Sequence, residues 1–471
     1  MESSWRALLT PRLVLPLGVL LGGVLLHSMN VLVTATLLPS IVADVGGSNL
    51  MSWPTTAFVA SSIVAATSAG IVSRAFGNRR AFCGGAMIYA AGAILCALAP
   101  SIGAVIAGRF VQGLGGGLLS ALAYVLVRNV FPEDLWTRVF GLLAGVWSVS
   151  VLAGPLLGGL FADYGNWRGA FFSVTGVGGL LGLAALLTLP ANAASDDATK
   201  SKVPAFRVTL ICAAIALLSL ASVLLGPAIK SALIVAATGA FVLMLRIDRG
   251  AGPALLPSDA FSLRSPTGAG LWMVLLLSAA YSPLAIYAPL FLQRLHALNP
   301  LTAGYMVAGA SLAWTVAALA VASLTDKWPR RLIVTGPIAM SVGLFGVAMV
   351  MAPGPVAALT LPISLIGIGI GVSWAFIAQH VMTGAKDGEQ NIAAASVATI
   401  QQAGIAFGAA IAGLVANASG LGDGLHSGDV VRAAFWVPMT FIAAPLAASM
   451  IGMRLVALRS DREPAIAVNR V

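Results

Sequence analysis

The sequence predicts an all-α integral membrane protein: 14 transmembrane helices, built as two six-helix bundles in parallel repeat plus two insert helices. Three observations predict it. Of the 471 residues, 59% are hydrophobic and only 9% are charged, with a mean hydropathy of +0.96. The apolar residues gather in runs of about 20, the length a helix needs to cross a hydrocarbon layer. A set of glycines recurs at a fixed offset between the two ends of the chain. No water-soluble fold of this length can bury so much apolar surface and still present a polar exterior. This excludes a soluble enzyme, a nucleic-acid module and a disordered chain.

The runs lie at roughly 13–38, 53–73, 82–99, 102–127, 139–161, 169–190, 208–225, 229–246, 268–292, 302–324, 332–352, 357–382, 393–416 and 433–457. In lipid every backbone group must be satisfied internally, so only helices and closed barrels span. Barrel strands alternate polar and apolar residues, and these runs do not. The first run is too long for a signal peptide and has no small-residue cleavage site after it, so it is expected to belong to the mature protein. Cys83, Cys96 and Cys212 sit inside apolar runs without metal-ligand spacing and read as packing residues.

Cytoplasmic loops of membrane proteins collect Lys and Arg. With the N-terminus inside, the outer segments hold only Arg168, Lys230, Arg294 and Arg432 of the 26 basic residues. Nearly all the others, among them Arg74, Arg79, Arg80, Lys327, Arg330, Arg331 and Lys386, fall inside. The net charge of +10 is therefore a topology signal. Both termini are expected to be cytoplasmic, in the inner (plasma) membrane.

A shift of 254 residues superimposes Gly113 on Gly367, Gly115 on Gly369, Gly117 on Gly371, Gly154 on Gly408 and Gly159 on Gly413. The same shift carries the start of the first span to the start of the ninth. Two parallel halves follow, as in transporters whose repeats are related by an axis along the membrane normal. The expected organisation is 1–190, an N-terminal six-helix bundle; 191–266, a linker with two extra spans; 267–457, a C-terminal six-helix bundle; and 458–471, a cytoplasmic tail.

Several segments carry a family resemblance. The segment after span 2, Gly70-Ile-Val-Ser-Arg-Ala-Phe-Gly77-Asn-Arg79-Arg80, and its counterpart ending Asp326-Lys-Trp-Pro-Arg330-Arg331 resemble the GxLaDrxGrkr loop of the major facilitator superfamily. Arg109-Phe-Val-Gln112-Gly113 is similar to its RxxqG motif, and Gly145 through Gly154-Pro155-Leu-Leu-Gly158-Gly159 to its antiporter signature. Asn166-Trp167-Arg168, Leu37-Leu38-Pro39 and Gln401-Gln402-Ala-Gly404 resemble the fourteen-span drug:proton antiporter type. The resemblance covers essentially the whole chain. It implies a secondary transporter, with gating at Gly70, Gly77, Arg79, Arg80, Gly154, Pro155, Gly158, Gly159, Asp326, Arg330 and Arg331. Independently of any family, Gly154 and Gly158 lie one turn apart and make a smooth face for a neighbouring helix. Pro155 removes a backbone hydrogen bond and lets the helix bend. A static packing face is the other reading of the same residues.

The chain departs from the family in its charges. None of the 16 acids lies near a span centre. Asn30 stands where drug:proton antiporters of this type usually carry an acid, and Arg74 stands at the acid of the first loop. Arg109 is the intramembrane charge, and it should face the bundle interior and find acceptors. It lies ~10 Å below the outer end of span 4 and Asn30 ~13 Å below that of span 1, at 1.5 Å per residue. The two can therefore meet. His27 is one turn deeper than Asn30, on the same face, and histidine titrates near neutral pH. Two roles fit His27: a proton carrier in place of the absent acid, or a hydrogen-bonding residue in an uncoupled carrier. His380 is expected near the inner end of span 12.

The candidate substrate and coupling residues are His27, Asn30, Arg109, Gln112, Trp147, Trp314, Trp374, His380, Gln401 and Gln402, with Tyr281 and Tyr287 adding aromatic surface. An acid-free, aromatic set suits a neutral or anionic amphiphile. Packing or lipid contact is the other reading of each aromatic. The chain shows no HExxH, P-loop or zinc spacing, so no catalytic residue, cofactor or metal is expected. The expected function is an alternating-access exporter of small amphiphilic compounds, with proton coupling open. A lipid or metabolite exporter on the same fold, or an uncoupled facilitator, is the alternative. Its partners are a small-molecule substrate, protons if coupled, and the bilayer; it is expected to be a monomer that binds no nucleic acid.

Overall fold

The fold is that of a computed structural model. It describes residues 8, 10–132, 135–190, 205–221, 224, 226–248, 256–321, 324, 327–386, 389–423 and 426–460. Among the described residues all regular structure is helical. The first six helices are α1 (Pro11–Val45), α2 (Trp53–Phe76), α3 (Asn78–Ala97), α4 (Ile102–Val130), α5 (Trp136–Asp163) and α6 (Trp167–Thr188). Then come α7 (Ala205–Ala221), α8 (Pro227–Asp248), α9 (Pro266–His296), α10 (Pro300–Val321), α11 (Trp328–Val350), α12 (Thr360–Thr383), α13 (Gln390–Ala418), α14 (Ser427–Phe441) and α15 (Ala443–Ser460). Twelve helical stretches are long and apolar enough to cross a membrane, the last of them running through α14 and α15. Leu152–Asp163 in α5 and Thr209–Ala221 in α7 are shorter apolar helices.

Helix ends follow local chemistry. The Ser101 side chain accepts from Ala104 N at 3.3 Å, Asn166 from Gly169 N at 2.9 Å, and Ser265 from Gly268 N at 3.1 Å. These caps satisfy amides that the first turn leaves without partners. α1 runs seven residues beyond the sequence boundary at residue 38. Pro39 lies inside the helix, which ends only at Gly46, φ 74°. Proline is tolerated in membrane helices because neighbours satisfy the freed backbone groups.

The segment read as a loop after span 2 is mostly helix. Gly70 to Phe76 are the last turns of α2, and Asn78 already begins α3. Gly77 alone makes the reversal, at φ 78° and ψ 156°, a conformation that favours glycine. Ser73 Oγ donates to Asn78 Oδ1 at 2.5 Å across the bend. The last predicted span is likewise two helices, broken at Ile442 shortly after Pro438. The Ile442 carbonyl accepts from Ser341 Oγ at 3.3 Å, so the break leaves no orphaned acceptor there.

The described contacts form two units: Met1–Thr209 with Asn299–Tyr305, and Leu210–Leu298 with Met306–Val471. In the first, α5 packs on α1, and α4 packs on α2 and α3. In the second, α13 packs on α9 and α12 packs on α11. The recurring glycines mark matching approaches within each unit. A Cβ at Gly113 would overlap the Phe58 carbonyl of α2, and one at Gly367 the Ala310 carbonyl of α10. Gly117 meets the Ser62 carbonyl as Gly371 meets that of Trp314. A Cβ at Gly115 would stand 2.6 Å from the Gly85 carbonyl, and one at Gly369 2.5 Å from the Gly336 carbonyl.

The insert helices, from Leu210 onward, belong to the second unit. Leu218 of α7 and Ala237 of α8 share a core with Ala410 of α13. Phe241 meets Phe407 edge-on at 5.3 Å and Phe261 at 5.8 Å. Phe261 sits at φ 60°, where its carbonyl accepts from Trp272 Nε1 at 2.9 Å.

Candidate functional site

The first unit buries a polar cluster built from three helices. Arg109 of α4 is 1% exposed. Its Nη1 donates to Asn30 Oδ1 of α1, and to Gln112 Oε1, one turn along α4, at 2.6 Å. The depths of the two residues placed Asn30 within reach, and the bond is present. The guanidinium carbon lies 4.1 Å from the centre of the Phe58 ring of α2. His27 stacks on the same ring at 5.4 Å between centroids. Beneath this layer Tyr89 of α3 donates its hydroxyl to the Leu26 carbonyl at 2.8 Å. Charge-assisted hydrogen bonds of ~1.5–3 kcal/mol each and a desolvated cation–π contact of ~2 kcal/mol offset part of the cost of burying the charge. Among the described residues, no carboxylate pairs with Arg109. Arg109 Nε is buried and has no hydrogen-bond partner there, while the buried amide nitrogens of Asn30 and Gln112 both lie beside the Tyr89 hydroxyl.

Phe58 and Tyr89 complete the cluster, and neither is a sequence candidate. A signal for Phe58 exists. It lies five residues into α2, ~8 Å deep at 1.5 Å per residue, close to the depth of Arg109 in α4. An aromatic at matching depth is the partner a buried guanidinium lacks once carboxylates are absent.

The second unit holds the aromatic candidates. Tyr281 of α9 shares a 2.7 Å hydrogen bond with Ser311 of α10. Its ring meets Trp314 edge-on at 5.9 Å, and Trp314 meets Trp374 of α12 at 5.5 Å. Both tryptophans are half-buried, as are Gln401 and Gln402 on α13. Tyr287 is buried and stacks instead on Phe291 at 6.0 Å. His380 is buried near the end of α12, with Nδ1 2.7 Å from the Phe376 carbonyl of its own helix. It belongs to neither cluster. Trp147 lies in α5, but its side chain is outside the described residues, as is Asp326. Among the described residues no group of His, Cys, Asp or Glu could hold a metal ion.

The glycine–proline segment of α5 lies against α1. A Cβ at Gly154 would stand 2.5 Å from Leu32 Cβ, and one at Gly158 2.8 Å from the Val33 carbonyl. Ser28 and Ser150 join the same two helices by a 2.5 Å hydrogen bond. The turn 299–305, which packs in the first unit, fills the other face. A Cβ at Gly159 would stand 2.5 Å from Leu301 Cα, and one at Gly304 3.0 Å from Pro155 Cβ. Around Gly77, Arg79 Nε donates to the Leu189 carbonyl at 2.8 Å, while Arg80 is exposed. Arg331 is exposed with its guanidinium 5.8 Å from the Trp328 ring, and Arg330 is half-buried. At the other end of the first unit, Asp44 accepts from Arg168 and, at 3.1 Å, from Trp167 Nε1. Arg168 Nη2 also reaches the Ala99 carbonyl at 3.1 Å, so the Asn166-Trp167-Arg168 segment ties the ends of α1, α3 and α6 together.

The sequence profile described as Major Facilitator Superfamily matches residues 20–409. The chain belongs to the major facilitator superfamily. It is thus a multi-pass membrane protein of a transporter family. A Mycobacterium tuberculosis protein named a probable multidrug-efflux transporter is 34% identical over 458 residues, covering 93% of this chain and 96% of that one. The tetracenomycin C resistance and export protein of Streptomyces glaucescens is 25% identical, covering 85% of this chain and 75% of its own. The crystal structure of the nucleoside transporter NupG aligns with a TM-score of 0.63 at 11% identity, over 93% of this chain and 98% of that one. That likeness concerns the superfamily fold alone.

Proposed function

We propose that this superfamily member exports small amphiphilic compounds, neutral or anionic, by alternating access. The observation that carries the reading is the buried Arg109 cluster, which holds a positive charge and no carboxylate among the described residues. A dication would meet like charge there, whereas an apolar or anionic compound would not. The aromatic group of Tyr281, Trp314 and Trp374 offers the flat apolar surface such a compound needs. The names of the mycobacterial and Streptomyces relatives point the same way.

In this reading residues 1–190 and 267–457 form two six-helix halves, 191–266 an insert, and 458–471 a cytoplasmic tail. The spans number 14, with α14 and α15 together making the last. The protein works as a monomer in the inner (plasma) membrane with both termini cytoplasmic. Gly154, Pro155, Gly158 and Gly159 form the sliding face. Gly70, Gly77, Arg79, Arg80, Asp326, Arg330 and Arg331 form the inner lock. His27 carries the proton if transport is coupled; the lack of a membrane carboxylate among the described residues favours an uncoupled carrier. Gln401, Gln402, Trp147 and His380 are further cargo-contact candidates.

Expression in an efflux-deficient bacterium, with accumulation of matched anionic, neutral and dicationic dyes, tests the function. Lowered accumulation of the first two classes supports it, and lowered accumulation of dications alone overturns it. Reconstituted liposomes with an imposed pH gradient test the coupling. If His27→Ala keeps full gradient-driven accumulation, His27 is not the proton carrier.

A further inference from the structure

We propose that Arg109, Asn30 and Gln112 form a binding site for one compact monovalent anion, which takes the place of the carboxylate this cluster lacks. Asn30 and Gln112 each turn the side-chain oxygen toward the Arg109 guanidinium. Their amide nitrogens are thereby left as donors. Asn30 Nδ2 and Gln112 Nε2 have the Tyr89 hydroxyl oxygen beside them as a shared acceptor, which cannot take all four of their N–H groups while Tyr89 itself donates to Leu26, and Arg109 Nε has no acceptor among the described residues. Arg109, Asn30 and Gln112 are at most 1% exposed. Unpaired donors and an uncompensated charge are costly inside a membrane protein. Water would satisfy the donors and leave the charge; a small anion satisfies both at once. The Phe58 ring covers one face of the guanidinium, so the anion is held at the edge, where the N–H groups point.

Two sources supply this chemistry, a free halide or the carboxylate of a cargo molecule. The inference deepens the proposed reading of the same cluster. Its test is equilibrium binding, so it can fail while export holds, and hold while export fails.

The experiment uses the full-length purified protein in nanodiscs. Thermal unfolding is followed while chloride, or benzoate in a second arm, replaces sulfate, a dianion, at constant ionic strength. The expected result is a saturable rise in Tm in at least one arm; the arm that saturates names the source. Asn30→Asp and Gln112→Glu each build a carboxylate into the site. Each is expected to weaken the anion-dependent rise by about tenfold or more in the anion concentration required. Two variants are used so that one folding failure does not remove the test. A Tm indifferent to both anions in the unmodified protein overturns the proposal. So does an anion response that persists unchanged in the carboxylate variants, which would mark it as a general salt effect.

Discussion

Arg109 and Phe58 face each other inside the first unit, with the guanidinium carbon 4.1 Å from the ring centre. The contact joins α4 to α2 at the level where Arg109 also holds Asn30 of α1. One side chain thus ties three helices together. It uses the flat face of the guanidinium toward the ring and its edge toward the amides, a geometry that lysine lacks.

Phe58→Leu keeps much of the apolar volume and removes the π face. It is expected to lower stability by about 1–2 kcal/mol, the size of a desolvated cation–π contact. Arg109→Lys is expected to cost more, because a point charge cannot serve Asn30, Gln112 and the ring together. Thermal unfolding of purified protein checks both. Equal tolerance of the two substitutions would mean the ring and the fork contribute little.

Gly113→Ala and Gly367→Ala are expected to be damaging to a similar degree, by about 1–3 kcal/mol as for other overpacked sites. In each unit the added methyl would overlap a carbonyl of the facing helix, Phe58 in one and Ala310 in the other. Gly145→Ala is the control, since nothing lies within 4 Å of a Cβ there. Melting temperatures of the three variants test the prediction. A loss confined to one unit would show that the glycine repeat does not mark equivalent packing.

The glycine offset was legible because close backbone approach admits no other residue, so the pattern survives where side chains diverge. The Arg109–Asn30 bond was legible for a related reason: depth in a bilayer is nearly linear in residue number. Helix ends were harder to read. Pro39 looked like a terminus yet lies inside α1, since packed neighbours compensate for it, whereas the last span breaks at Ile442, between Pro438 and Pro445, where Pro445 cannot donate to the carbonyl four residues back and the continuous apolar run hid the interruption. Phe58 stayed hidden because an aromatic in an apolar run has no polar atom to set it apart. The shift of 254 also places Tyr281 opposite His27, and Leu284, Ile363 and Ile366 opposite Asn30, Arg109 and Gln112. The buried charge therefore sits in the first unit and the tryptophan pair in the second.

The α1–α5 seam offers a graded test. Ser28→Ala and Ser150→Ala each remove one partner of a buried 2.5 Å hydrogen bond. Each is expected to cost about 1 kcal/mol, and the double variant less than the sum, because both remove the same bond. Gly158→Leu is expected to be far worse, since even a Cβ there would stand 2.8 Å from the Val33 carbonyl. Thermal unfolding gives the serine cycle, and export in cells gives the glycine. Full export by Gly158→Leu would show that α5 need not approach α1 closely in the working protein.

The aromatic group of the second unit should set which compounds leave the cell. Trp314 is wedged between Tyr281 and Trp374, at 5.9 and 5.5 Å, so Trp314→Ala would loosen the whole group. Trp374 stands at its end and can be removed more cleanly. Trp374→Ala is expected to reduce export of planar aromatic compounds by about tenfold, the loss of roughly one aromatic stacking contact, and to change aliphatic compounds of equal size much less. Tyr281→Phe keeps the ring and breaks only the 2.7 Å bond to Ser311, so it should shift rates modestly and uniformly. Efflux rates for paired aromatic and aliphatic probes measure the contrast. A uniform fall across both probe classes in Trp374→Ala would assign this tryptophan to packing and remove it from the cargo surface.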